Sequence, residues 1–195
     1  LATNTYAPDT GSLSFQKYLE LPMGQKGPLS YPAVKFEITR TYTDNAGNPV
    51  EDANFQREVV WTSDEVEEAY KSLDSGTMVQ EVFTVVDLEL YAPNGSPYVY
   101  TVTEVKDGFL EGYDTWAAAE EVEPDAIKKQ DDTEGTEEIS DLKPTLVKDG
   151  AESPEIPISA TFLNARQTEE TVELPRLGQA AEDADLPTLS LLRLG

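Results

Sequence analysis

The sequence predicts an all-β fold, an antiparallel sandwich of short strands, and three observations carry that expectation. Apolar and polar residues alternate along most of the chain, the period-2 signature of strands with one face in a core. Gly, Pro and Asn fall between these stretches, where a sandwich needs turns. A helical period occurs in one short stretch alone, too little for an α/β architecture. The 195 residues are enough for one domain with a substantial hydrophobic core, and the rest is expected to be a leader and a tail.

Taken in order, residues 1–12 are polar and turn-rich and read as the leader. "LSFQKYL" (13–19) is a half-buried strand with Leu13, Phe15, Lys17 and Leu19 on one face. "AVKFEITRTY" (33–42) aligns Val34, Phe36 and Ile38, "DNAGNP" (44–49) is a turn, and "REVVWT" (57–62) is a further strand. "TSDEVEEAYKSLDSG" (62–76) is the inserted helix, expected near 64–74. Ser63 is placed to cap it, Asp64 and Glu65 suit its positive end, and Gly76 can end it. Val66, Ala69, Tyr70 and Leu73 form its apolar stripe.

"VFTVVDLELY" (82–91) and "YVYTVTEV" (98–105) flank "APNGSP" and read as a hairpin. Residues 117–157 hold 13 acidic and 4 basic residues and read as an exposed acidic excursion, with a helical turn around Trp116 to Glu121. "PISATFLN" (157–164) is the last strong strand, closing a body over 13–165. Residues 166–195 read as a tail or linker, whose apolar cluster at Leu186 to Leu194 is able to dock as an edge strand.

Composition removes several kinds of chemistry. Without cysteine there are no disulfides or thiolate metal sites, and without histidine there are no Ser-His-Asp or Cys-His triads and no ordinary zinc sites. A formal net charge of −24 repels phosphate backbones and anionic membrane surfaces. No apolar run approaches the length of a membrane span. No cofactor and no metal site are expected.

Parity singles out three polar residues. Lys17 shares its face with Leu13, Phe15 and Leu19; Glu104 with Tyr98, Tyr100 and Val102; Asn164 with Ile158, Ala160 and Phe162. Each is costly to bury alone, by several kcal/mol, and tolerable if the three satisfy one another. Desolvation disfavours charge, lowering the pKa of a lysine and raising that of a glutamate, so a neutral amine can coexist with a protonated acid. Such an amine can attack the carboxamide carbon of an asparagine, while the acid polarises the amide and moves protons to the departing ammonia. The product is an amide cross-link formed once.

"LSFQKYL", "GSPYVYTVTEV" and "ISATFLN" resemble, in family order, the first-strand lysine, the "YxYxVTE" strand and the terminal "TFxN" strand of Cna-B-type domains. Those domains build Gram-positive pilins and the stalks of surface adhesins. Over residues 13–164 the resemblance implies an immunoglobulin-like sandwich with a spontaneous isopeptide bond. In it Lys17 is the nucleophile, Asn164 the acceptor and Glu104 the catalytic acid. It also implies a structural protein of the cell wall or pilus, outside the cell, whose partners are neighbouring domains or pilin subunits. The chain departs from the family in two places: "LPRLG" (174–178) has Leu177 where a sortase signal has Thr, and "YPAVK" (31–35) lacks the spacing of the pilin polymerisation motif.

The alternative from the residues is an adhesin module that binds a glycan or host protein through its loops. For it, Asp44, Asn45, Glu51 and Asp52 offer oxygen ligands of the kind calcium takes, and Trp61, Trp116 and Tyr113 offer rings for sugars. A carboxylate-pair hydrolase finds no pair that stands out from the acidic background. Apart from single-turnover bond formation, the chain is not expected to be an enzyme.

Overall fold

A computed structural model describes residues 8–21, 30–106, 112–148 and 155–166. The expectations for residues 1–7 of the leader and for 167–195, including "LPRLG" (174–178) and the apolar cluster at Leu186 to Leu194, lie outside the described residues. The chain folds as two sheets packed face to face, a β-sandwich.

The strands are β1 (Thr10–Glu20), β2 (Val34–Thr43), β3 (Pro49–Glu51), β4 (Arg57–Trp61), β5 (Met78–Glu89), β6 (Val99–Val105), β7 (Tyr113–Ala118), β8 (Glu138–Leu142), β9 (Thr145–Leu146) and β10 (Ile158–Arg166), with helices α1 (Ser63–Lys71) and α2 (Pro124–Ile127). One sheet runs β5-β1-β10-β7 with β9 added on β1, and the other runs β3-β2-β6-β8 with β4 added on β2. All pairs are antiparallel except β1 and β10, which lie side by side and run the same way. The expectation of a wholly antiparallel sandwich is corrected there.

The inward faces follow the alternation read from sequence. Leu13, Phe15 and Leu19 of β1, Val34, Phe36 and Ile38 of β2, Tyr100 and Val102 of β6, and Ala160 and Phe162 of β10 are all buried in one core. Its centre is aromatic, with the Phe15 and Phe36 rings 4.9 Å apart and Phe36 and Phe162 5.1 Å apart, in edge-to-face geometries.

Five local expectations change. The β5–β6 segment is not a hairpin: β5 pairs β1 in one sheet, β6 pairs β2 and β8 in the other, and only a short bridge at Tyr91 and Pro97 joins them. Asp87, at φ 57, lies at a bulge within β5, where the register against β1 shifts between Gly11 and Leu13 and pairing resumes at Leu88. Helix α1 is capped one residue earlier than expected. The Thr62 side chain accepts from the Glu65 N–H while the Glu65 carboxylate accepts from the Thr62 N–H, a reciprocal box that Ser63 cannot make.

The acidic segment is not simply an exposed loop, because β7, α2, β8 and β9 lie within 113–146 and bury Ile127, Ile139 and Leu142. The helical turn falls at 124–127, and Trp116 sits in β7.

That segment also explains why β1 is not half-buried. It lies over the outer face of the β1–β10 sheet and forms a second core with Tyr18, Trp116, Ile127, Leu163 and Ala165. The polar residues that read as solvent-facing are covered and hydrogen-bonded there. Gln16 donates to Thr161 Oγ1 and to the Val122 carbonyl, and Thr161 accepts from the Val122 N–H. Both central strands of this sheet are therefore buried on both faces.

Candidate functional site

The parallel pairing of β1 and β10 sets the site. Register places Lys17 opposite Phe162 and Leu19 opposite Asn164, so Lys17 and Asn164 are diagonal neighbours on one inward face. Glu104 comes from β6 in the other sheet, where it pairs Phe36 of β2. The sandwich thus closes with a lysine and an asparagine on one side and a glutamate facing them. All three are essentially inaccessible to water, at 0%, 0% and 1% exposure.

The Lys17 Nζ donates to Glu104 Oε1 at 2.8 Å and to Asn164 Oδ1. The other end of the carboxamide, Asn164 Nδ2, donates to Thr115 Oγ1 at 3.3 Å. Glu104 Oε2 is buried with no hydrogen-bond partner among the described residues. Glu104 and Asn164, 87 and 147 positions away from Lys17 in sequence, therefore meet it in one dry contact.

Burial pushes the Lys17 amine below its ordinary value of 10.5. The Glu104 charge and hydrogen bond pull the other way, and the Lys106 charge adds to the lowering. Desolvation wins because the ammonium has no water at all, and the opposing carboxylate reaches it through one oxygen.

Rings close the pocket around the trio. Phe162 is cross-strand from Lys17, Phe36 is cross-strand from Glu104, and Phe15 packs against both rings. Apolar walls on this scale exclude the water that would solvate the amine and compete with it for the amide carbon.

The structure brings together Lys17, Glu104 and Asn164, each on the face its parity predicts. It does not assemble the suggested calcium ligands. Asp44 accepts from the Ala46 and Asn48 backbone N–H groups within its own turn, and Asp52 pairs with Arg40. No cluster able to hold a metal occurs among the described residues. The suggested sugar-stacking rings are also committed elsewhere: Trp61 and Trp116 are buried and Tyr113 is partly buried in the core.

Two residues escaped the sequence reading. Thr115, buried on β7 directly opposite Asn164, was missed because no strand was read over "YDTWAA" and a helical turn was expected from Trp116 onward. Arg40 continues the inward series of Val34, Phe36 and Ile38, and the parity test that flagged the trio would have found it. It is a separate structural cluster: its guanidinium lies 3.8 Å over the Tyr98 ring and 4.4 Å over Phe55, and pairs with Asp52 at 2.7 Å and Glu89 at 3.0 Å.

No helix among the described residues is long and apolar enough to cross a membrane. Comparison of the chain with family models, with curated proteins and with solved structures returns no match.

Proposed function

We propose that this chain is a structural stalk or pilin-type domain of a bacterial cell-surface protein, with an immunoglobulin-like sandwich of Cna-B type locked by a Lys17–Asn164 isopeptide bond. The observation that carries the reading is the convergence of an amine, a carboxamide and a carboxyl group in a water-free core, drawn from the first, last and an opposing strand.

The chemistry balances without a cofactor. In the first step the ammonium proton of Lys17 passes to Glu104 along their 2.8 Å hydrogen bond. The free pair of Nζ then attacks the Asn164 Cγ, forming the Nζ–Cγ bond as the Cγ–Nδ2 bond breaks. Glu104 polarises the carbonyl, takes a proton from the attacking amine and returns one to the departing nitrogen. One secondary amide and one ammonia result, with no net change in protons. Contact in a fixed geometry supplies the high effective concentration that an amine otherwise lacks toward an unactivated amide.

Such a bond joins β1 to β10, so a pull applied to the two ends of the sandwich runs through a covalent link that reductants do not open. That suits a load-bearing role outside the cell, with neighbouring domains or pilin subunits as partners. A tryptic digest read by tandem mass spectrometry tests the bond's position. A branched peptide joining the Lys17 and Asn164 segments is expected, and separate linear peptides carrying both unmodified residues refute it.

An adhesin role is the second reading, favoured by a cleft of about 940 Å³ beside Arg40 whose walls include Tyr42, Tyr91 and Glu89. Binding on a glycan array that is lost in Tyr91→Ala supports it, and an array without signal counts against it.

A further inference from the structure

We infer that Thr115 orients the Asn164 carboxamide for attack and holds its nitrogen as it leaves, an inference that rests on the cross-linking reading above. A primary amide in a dry pocket has two ends of similar shape, and reaction requires a particular one to face the amine and the acid. If Nδ2 pointed at Lys17, two donors would oppose each other, and the carbonyl oxygen would lie out of reach of the groups that polarise it. The Thr115 hydroxyl settles the choice. Its Oγ1 accepts from Asn164 Nδ2 at 3.3 Å, which leaves Oδ1 to accept from the Lys17 amine.

The placement follows from the sheet. Thr115 and Asn164 are directly paired across β7 and β10, so the two side chains stand on one face. Thr115 is 3% exposed, and water does not take its place as acceptor. On β7 it is followed by Trp116, whose ring packs into the second core on the outer face, and that anchoring fixes which way Thr115 points.

The hydroxyl also suits the change in the nitrogen during reaction. In the starting amide the nitrogen lone pair is delocalised and Nδ2 is only a donor. Once Lys17 Nζ has added to Cγ, that nitrogen is an amine with a free lone pair. A threonine hydroxyl rotates and changes from acceptor to donor without moving its oxygen. Thr115 thus stays in contact with the nitrogen while Glu104 delivers the proton that completes ammonia. Among the described residues, no other side chain hydrogen-bonds Asn164 Nδ2.

The test follows the loss of ammonia in time. The full chain is synthesised in a cell-free reaction, translation is stopped, and aliquots quenched in acid are read by intact mass. Wild type, Thr115→Val and Thr115→Ser are compared. Valine keeps the shape and removes the hydroxyl, and is expected to slow the loss by roughly tenfold, the equivalent of one hydrogen bond in the barrier. Serine restores the hydroxyl and is expected to restore the rate.

Folding is measured separately in a Glu104→Ala background, where no bond forms and tryptophan fluorescence reports the folded fraction with and without Thr115→Val. A slow valine variant whose rate matches wild type after scaling to its folded fraction overturns the inference, as does an unscaled rate equal to wild type. Both results leave the cross-link intact, since the mass still falls. A wild-type chain that never loses ammonia removes the cross-link and the role of Thr115 together.

Discussion

Pulling on single molecules tests the proposed covalent joining of β1 to β10. Because these strands are parallel neighbours, force entering at Thr10 and leaving at Arg166 acts on their opposite ends and loads their hydrogen bonds in shear. With an amide between Lys17 and Asn164, the residues between them are never extended. Lys17→Met combined with Glu104→Gln removes the nucleophile and the acid, keeps their volumes and leaves no unpaired charge in the core. That variant is expected to shear and then lengthen. The loop spans 147 positions, and at about 3.4 Å per extended residue it releases about 500 Å of contour. Atomic force spectroscopy on a tandem with marker domains of known length resolves such a step easily. Wild type is expected to show the marker steps and no step of that size. A wild-type trace with the same release as the double variant refutes the covalent load path.

The same pair of proteins is expected to differ in equilibrium stability. Closing a loop of 147 positions raises the free energy of the unfolded chain by about 5 kcal/mol, or roughly 10–20 °C in melting temperature for a domain of this size. Calorimetry giving a difference of only about 3 °C contradicts the tether. A pH prediction concerns Asn164→Ala, which keeps Lys17 as an amine beside Glu104. The folded pKa of Lys17 lies below 10.5, so between the two values unfolding takes up a proton and stability rises with pH until it levels off near 10.5. Melting temperatures across that window should climb relative to Asn164→Ala/Lys17→Met, and parallel curves would show that Lys17 does not titrate there. Replacing Arg40 by Met strands the partly exposed Asp52 and Glu89 and is expected to cost about 2 kcal/mol, discounted for solvent at the ion pairs. Denaturant titration reads the loss, while the intact mass stays that of the cross-linked chain; an unchanged midpoint contradicts it.

Period-2 alternation made the inward faces of β1, β2, β6 and β10 legible, because one-residue parity is enough to assign a face once a core is assumed. It also made Lys17, Glu104 and Asn164 visible as polar residues in apolar series. What it left out is long-range pairing. Nothing in "VFTVVDLELY" and "YVYTVTEV" reveals that a short bridge carries the chain from one sheet to the other, yet that crossing is what sets Glu104 opposite Lys17 and not beside it.

The outer face of the β1–β10 sheet was misread for a different reason. Ser14, Gln16 and Thr161 are polar, and their composition matches a wet surface. Gln16 and Thr161 are buried because the acidic segment supplies backbone partners at Glu120 and Val122, and Ser14 because its hydroxyl meets that of Thr84 on β5. Thr115 was lost with β7, whose sequence "YDTWAA" has too little alternation to announce a strand.

Intact mass of the purified wild-type chain beside its Glu104→Ala variant tests the central claim most directly. The wild-type mass is expected to fall one ammonia below the sequence, and the variant to show its full calculated mass. A wild-type chain at full mass contradicts it, because Lys17 and Asn164 would then be a buried amine and amide in contact and nothing more.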